Sequence, residues 1–150
     1  MKKMGILASI IFGVLLFISA CGSKNQTATY TLKQDDEMVT IQNIYNEDTI
    51  LKQTVTTTIQ YKTMGVKTKA KAEKLLQPSK ELYAHKKGIN YAIDFKDNKA
   101  VETIEIDFKK FSQSNAKMLP LISLPDGDLD SASEKQNADK LIHLGFEKND

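Results

Sequence analysis

Residues 90–108 read Asn90-Tyr91-Ala92-Ile93-Asp94-Phe95-Lys96-Asp97-Asn98-Lys99-Ala100-Val101-Glu102-Thr103-Ile104-Glu105-Ile106-Asp107-Phe108, and this stretch decides the fold class. Tyr91, Ile93 and Phe95 alternate with Asn90, Ala92, Asp94 and Lys96. After Asp97-Asn98, Ile104, Ile106 and Phe108 alternate again. Successive side chains of a strand point to opposite faces, so each run has one apolar face and one wet face. A two-residue loop at Asp97-Asn98 pairs Phe95 with Ala100 and Tyr91 with Ile104, which keeps the apolar residues on one shared face. The stretch is a β-hairpin, and a hairpin with one apolar face needs a cover.

The same period runs upstream. Val39, Ile41 and Tyr45 alternate with polar residues, and Leu51, Val55, Ile59 and Tyr61 do so along a threonine-rich stretch. These β-branched and aromatic residues suit a half-buried pleated surface. Tyr30-Thr31-Leu32 reads as a short first strand. Both longer runs carry their apolar residues at odd positions, so facing pairs sum to an even number. An odd loop is then required, most simply Asn46-Glu47-Asp48 with a bulge.

Two helical patterns supply the cover. Ala72, Leu75, Leu76, Leu82 and Tyr83 form a stripe at steps of three and four, with Lys67, Lys69, Lys71, Lys74 and Lys80 mostly off it. Pro78 sits inside this pattern, where a kink is expected, and Gly88 ends it. Downstream, Ser131 and Glu134 have capping-box spacing, Ala138, Leu141 and Ile142 form a stripe, and Gly145 suits a left-handed terminating position with Phe146 folding back on Leu141. Residues 109–130 carry no clear periodicity. The expected fold is α+β: an antiparallel sheet of four or five strands, covered on one face by helices.

The chain start carries a different signal. Lys2-Lys3 precede an apolar run from Met4 to Ala20, which ends in Ile18-Ser19-Ala20-Cys21. Small residues beside a scissile bond suit a processing peptidase, and the Cys21 thiol is a nucleophile able to accept a diacylglyceryl group. This pattern resembles the lipobox of bacterial lipoproteins. It implies export, lipidation and cleavage between Ala20 and Cys21, leaving the domain on the outer face of the membrane. The seventeen residues of this run at about 1.5 Å each span roughly 25 Å, short of a hydrocarbon core of about 30 Å. Cys21 is the only cysteine, so no intrachain disulfide forms. The expected organisation is a signal peptide over 1–20, a lipidated cysteine with a polar tether over 21–28, and one domain over 29–150.

Charge sharpens that reading. The chain of 150 residues carries 21 Lys plus Arg, all of them lysine, against 19 acidic residues, with a sequence pI of about 8.5. Lys2 and Lys3 account for the whole excess, leaving 19 basic against 19 acidic groups after Ala20. The mature chain has no global electrostatic bias toward nucleic acid, and it lacks arginine and aromatic interleaving as well.

Several strings recur together in a known family: Ile50-Leu51-Lys52-Gln53, Thr58-Ile59-Gln60-Tyr61 with Gly65, Leu76-Gln77-Pro78, Tyr83 with Gly88, Ile106-Asp107 with Lys109, and Gly145-Phe146. With the lipobox, their order and spacing over roughly residues 38–146 resemble the YehR-like family of small bacterial lipoproteins. The resemblance implies a lipid-anchored α+β domain and brings no catalytic residues.

Candidate chemistry is sparse. Asp126, Asp128 and Asp130 resemble the start of a calcium loop, but Ser131 and Asn137 stand where glycine and glutamate are required. His85 and His143 are the only histidines and have no second ligand at metal spacing; each reads as a helix-end residue. Asp94, Glu105 and Asp107 fall on wet faces of the hairpin, where carboxylates are ordinarily ionised and unsuited to acid–base work. No phosphate loop, dinucleotide fingerprint or zinc-hydrolase motif occurs. Lys67, Lys69, Lys71 and Lys74 form a basic face that reads either as a solvated helix surface or as a contact for anionic lipid or wall polymer. The expectation is a non-enzymatic envelope interaction module without cofactor beyond the lipid on Cys21, bound to the membrane and to an envelope protein or polymer. The alternatives are a small-ligand module accessory to a membrane transporter and, third, a hydrolase.

Overall fold

The computed structural model describes residues 24–111 and 132–149. Along them run β1 (Gln26–Gln34), β2 (Glu37–Asn46), β3 (Thr49–Gln60), α1 (Lys69–Tyr83), β4 (Ile89–Phe95), β5 (Lys99–Asp107), α2 (Glu134–His143) and β6 (Glu147–Asn149). The strands form one antiparallel sheet in the order β4-β5-β3-β2-β1-β6. Six strands replace the expected four or five. The extra strand, β6, is three exposed polar residues pairing with Thr29–Thr31, and such a segment has no apolar alternation to read. β1 also begins earlier than its apolar core suggests. Gln26 to Ala28, read from sequence as tether, pair with β2, and Ala28 is buried.

The hairpin register is the one expected, with Phe95 opposite Ala100 and Tyr91 opposite Ile104. The β2–β3 turn is tighter than expected. Only Glu47 and Asp48 lie outside the strands, Glu47 at φ +55°, and the odd residue is a bulge within the ladder. Pairing steps from Ile44–Lys52 to Tyr45–Ile50, passing over Leu51, so Ile50 turns inward.

Both helices lie on one face of the sheet. Ala72 packs with Tyr61 and Ala100, Leu76 approaches Ile93 and Phe95, and Tyr83 stacks on Tyr91 with ring centroids 5.2 Å apart. Leu141 is buried with Tyr30, Ile41 and Val55. The inward stripe is narrower than the sequence pattern: Leu75, Leu82 and Ile142 are each about half exposed, at 51%, 47% and 51%. On α1 the residues that meet the sheet are Ala72, Leu76 and Tyr83, and Leu75 and Leu82 sit to one side of that line.

The helix ends also differ from expectation. α1 starts at Thr68, whose Oγ1 accepts from the Lys71 N–H, and it continues through Pro78 to Tyr83. The chain leaves it through His85 at φ +60°, so His85 stands outside the helix it was expected to terminate. Gly88 serves close approach instead of capping. It has φ +80°, and a Cβ there would come 2.5 Å from the Phe111 backbone nitrogen. α2 is capped by Ser133, whose Oγ accepts from the Gln136 N–H, two residues beyond the expected cap. At its other end Gly145 donates to Ile142 and Phe146 donates to Leu141, a Schellman closure with Phe146 buried beside Leu141 as expected.

Candidate binding surfaces and a buried polar network

Strand alternation carries two polar residues, Asn43 on β2 and Gln53 on β3, onto the covered face, where both are fully buried. They are the floor of a network whose roof is the first turn of α2. Gln53 Nε2 donates to Asn43 Oδ1 at 2.8 Å, and Asn43 Nδ2 donates to Glu134 Oε2 at 2.6 Å and to Asn137 Oδ1 at 2.9 Å. The Tyr30 hydroxyl donates to Glu134 Oε1 at 2.6 Å. Each carboxylate oxygen thus receives a donor, and Glu134 sits at the positive end of the α2 dipole. Burial, followed by the hydrogen bond to Glu134, pushes the Tyr30 hydroxyl well above its ordinary pKa. Gln53 Oε1 and Asn137 Nδ2 have no hydrogen-bond partner. With Tyr30, Asn43, Gln53 and Asn137 all at 0% exposure, the network has no mouth for a substrate. Its role is to join α2 to the sheet. The sequence does contain its signal: Asn43 and Gln53 are polar residues on the odd, apolar phase of their strands.

The start of α2 is held a second time from the β2–β3 turn. Asp48 accepts from the Ser133 hydroxyl at 2.7 Å and from the Lys135 N–H at 2.9 Å, while its own carbonyl accepts from the Glu134 N–H at 2.8 Å. The Lys135 N–H, then the Ser133 hydroxyl, hold the Asp48 carboxyl below the usual aspartate range.

The residues singled out from sequence do not converge. Asp94 pairs with Lys96 at 3.4 Å, Glu105 accepts from Asn90 at 3.0 Å, and Asp107 pairs with Lys110 at 3.3 Å, each on the sheet surface or at the strand end. His85, in the loop after α1, and His143, at the end of α2, are both exposed. Lys67, Lys69, Lys71 and Lys74 are exposed at the start of α1, with Lys69 3.8 Å from Glu73. Asp126, Asp128, Asp130, Ala20 and Cys21 lie outside the described residues. Among the described residues, no three histidine, cysteine or acidic side chains gather as a metal site, and no helix is long and apolar enough to cross a membrane.

The surfaces hold more order than the clusters. On the face opposite the helices, Thr31, Thr40, Thr56 and Thr103 stand side by side across β1, β2, β3 and β5. Neighbouring strands lie about 4.8 Å apart, so their hydroxyls and methyls form a regular row. An open groove of about 350 Å³ borders this face at Thr31, Lys33, Met38 and Glu147. A second open groove, about 510 Å³, runs between α1 and the β4 edge.

Comparison with known proteins gives a consistent result. Residues 26–147 match the family model described as a protein of unknown function, DUF1307. An uncharacterized lipoprotein of Listeria innocua, Lin0239, is 31% identical over 140 residues, covering 93% of this chain and 91% of that protein. The uncharacterized lipoprotein YehR of Escherichia coli K12 is 28% identical over 106 residues, 70% of this chain and 69% of YehR. The NMR structure of E. coli YehR superposes with a TM-score of 0.74 at 24% identity, covering 85% of this chain and 93% of that one, so the two share a fold. The chain belongs to the DUF1307 family and is a relative of the YehR lipoproteins.

Proposed function

We propose that the protein is a lipoprotein anchored by lipid to the extracytoplasmic face of the cell membrane, acting as a non-enzymatic interaction module for a protein or polymer of the envelope. One observation carries it: Cys21, behind Ser19-Ala20, stands five residues before Gln26, the first residue of a strand held between β2 and β6. Five residues extend to about 17 Å at most, so a lipid on Cys21 would hold the sheet close to the headgroups. Two acyl chains suffice for stable anchoring where one is marginal. The lipoprotein names of the relatives support the same reading.

The anchor would also orient the domain. Gln26 lies opposite Tyr45, at the end of the sheet that holds the Glu47-Asp48 turn, Gly88 and the close of β5. α1 begins at the other end, near Tyr61 and Ala100, and a 15-residue helix is about 22 Å long. Lys67, Lys69 and Lys71 would therefore stand more than two Debye lengths of about 8 Å from the anchor end. That position suits an anionic wall polymer better than lipid headgroups. Neutralising Lys67, Lys69, Lys71 and Lys74 then lowers polymer binding at low salt and leaves membrane retention unchanged.

The direct test of the anchor is Cys21→Ala in living cells grown with a clickable fatty acid. The expected result is loss of label, loss of processing and release from the membrane fraction. Unchanged label and retention would refute the reading.

A further inference from the structure

Among the described residues β4 is the outermost strand of the sheet, with no strand paired to its outer edge, which borders a wall of α1. The pattern of its hydrogen bonds identifies which backbone groups have no strand partner among the described residues. The Asp107 N–H donates to Gly88 O, and the Lys96 N–H donates to Lys99 O. In an antiparallel ladder the bonded pairs alternate, so the even residues of β4 bond to β5. Tyr91, Ile93 and Phe95 consequently direct their N–H and C=O groups away from the sheet. These are three donors and three acceptors at the spacing that a further strand would match.

The groove along this edge has a shaped and charged lining. Leu76, Ile93 and Phe95 are half-buried apolar residues on its floor, and Glu73 and Lys80 stand on the helical wall seven residues apart. Because α1 runs from the Phe95 end toward the Tyr91 end, Glu73 lies near Phe95 and Lys80 near Tyr91. The wall thus has a negative end and a positive end separated by about 10 Å along the helix.

We propose that this groove binds an extended segment of a partner protein by strand addition, antiparallel to β4. Main-chain bonds to Tyr91, Ile93 and Phe95 supply attachment, and side chains alternating toward the groove supply selection. The charge polarity sets the sequence of the partner. A strand antiparallel to β4 passes Glu73 first and Lys80 last, so its groove-facing residues run basic, apolar, acidic at alternate positions. This inference rests on the interaction-module reading above and names its site and partner class.

The test uses the full-length chain solubilised in detergent and the blocked peptide Thr-Lys-Thr-Val-Thr-Glu-Thr, with Thr-Glu-Thr-Val-Thr-Lys-Thr as its charge-reversed control. The first peptide is expected to slow amide hydrogen exchange at Tyr91, Ile93 and Phe95 and to bind more tightly than the control. Exposed pairs of this kind carry about 0.2–1 kcal/mol, so Lys80→Glu should weaken the first peptide about 1.4- to fivefold. The double variant Glu73→Lys with Lys80→Glu should invert the preference. Both positions are exposed, so these variants leave the fold intact. Unaltered exchange at the three amides, equal affinity for both peptides, or protection of those amides by self-association at rising protein concentration would each overturn the proposal. The fatty-acid label on Cys21 is read separately, so failure of the anchor and failure of the groove give different results.

Discussion

The Tyr30 hydroxyl and the Glu134 carboxylate, 104 residues apart, meet at 2.6 Å beneath the first turn of α2. Glu134 also receives Asn43, so the carboxylate is the hub that ties β1, β2 and α2 together. A buried acceptor that loses one donor bears its desolvation cost in full.

Tyr30→Phe keeps the ring in its buried site and removes only the donor. The expected loss is about 1–3 kcal/mol of folding stability, read as a lower urea midpoint with an unchanged m-value. Asn43→Leu should cost more than Tyr30→Phe, because it strands Glu134, Asn137 and Gln53 together. A ranking opposite to this would mean that the three side-chain bonds of Asn43 contribute less than the single bond of Tyr30.

Asp48 makes the attachment of α2 sensitive to acid. Its folded pKa lies below the ordinary value, so its contribution is whole above about pH 4 and is lost as pH falls through the lowered folded value. Asp48→Asn should therefore be less stable than the parent at pH 7, by about 0.5–2 kcal/mol on the scale of a helix cap. The gap should narrow on going to about pH 2.5. Denaturant unfolding at the two pH values measures it, and a gap that is constant across them would place the effect elsewhere.

Gly88→Ala joins a left-handed φ of +80° to a Cβ only 2.5 Å from the Phe111 backbone nitrogen. Backbone has to move at one of the two sites, and the expected destabilisation exceeds the roughly 1 kcal/mol of the φ term alone. Gly65→Ala serves as the comparison. It shares φ +70° but has open space around its Cβ, so it isolates the conformational part. Thermal unfolding of both variants separates the two contributions.

Leu141 and Ile142 are neighbours with opposite surroundings. Leu141 is fully buried against Tyr30, Ile41 and Val55, and Leu141→Ala should cost about 2–5 kcal/mol. Ile142 is 51% exposed, and Ile142→Ala should lie within about 1 kcal/mol of the parent. Equal losses would mean that α2 is rotated from the orientation described.

Much of this fold was legible residue by residue. The alternation from Asn90 to Phe108 contained a complete hairpin with its register, since strand period and turn length are properties of neighbouring residues. Odd-position apolar residues on β2 and β3 implied the bulge, although its place at Leu51 depends on which residue can best be buried. Gly145 and Phe146 announced the end of α2 for the same local reason. Glu134 was legible only as a capping residue, because nothing nearby in sequence shows that Tyr30 and Asn43 lie beneath it. The width of the buried stripes was equally hidden. Leu75 and Leu82 match a helical period as well as Tyr83 does, and only the path of α1 over β4 separates them.

By itself the sequence determined the alternating faces, the β4–β5 hairpin and the helical cover. Each follows from periodicity or from residue chemistry within a short window. The tertiary structure decided the strand order, with β1 between β2 and β6, and with it the separation of the Gln26 end of the sheet from the lysines of α1. It also assembled Tyr30, Asn43, Gln53, Glu134 and Asn137, and among the described residues it left the β4 edge unpaired beside Leu76 and Lys80. These depend on contacts between segments tens of residues apart, and chain order alone carries no local energy that distinguishes one strand neighbour from another.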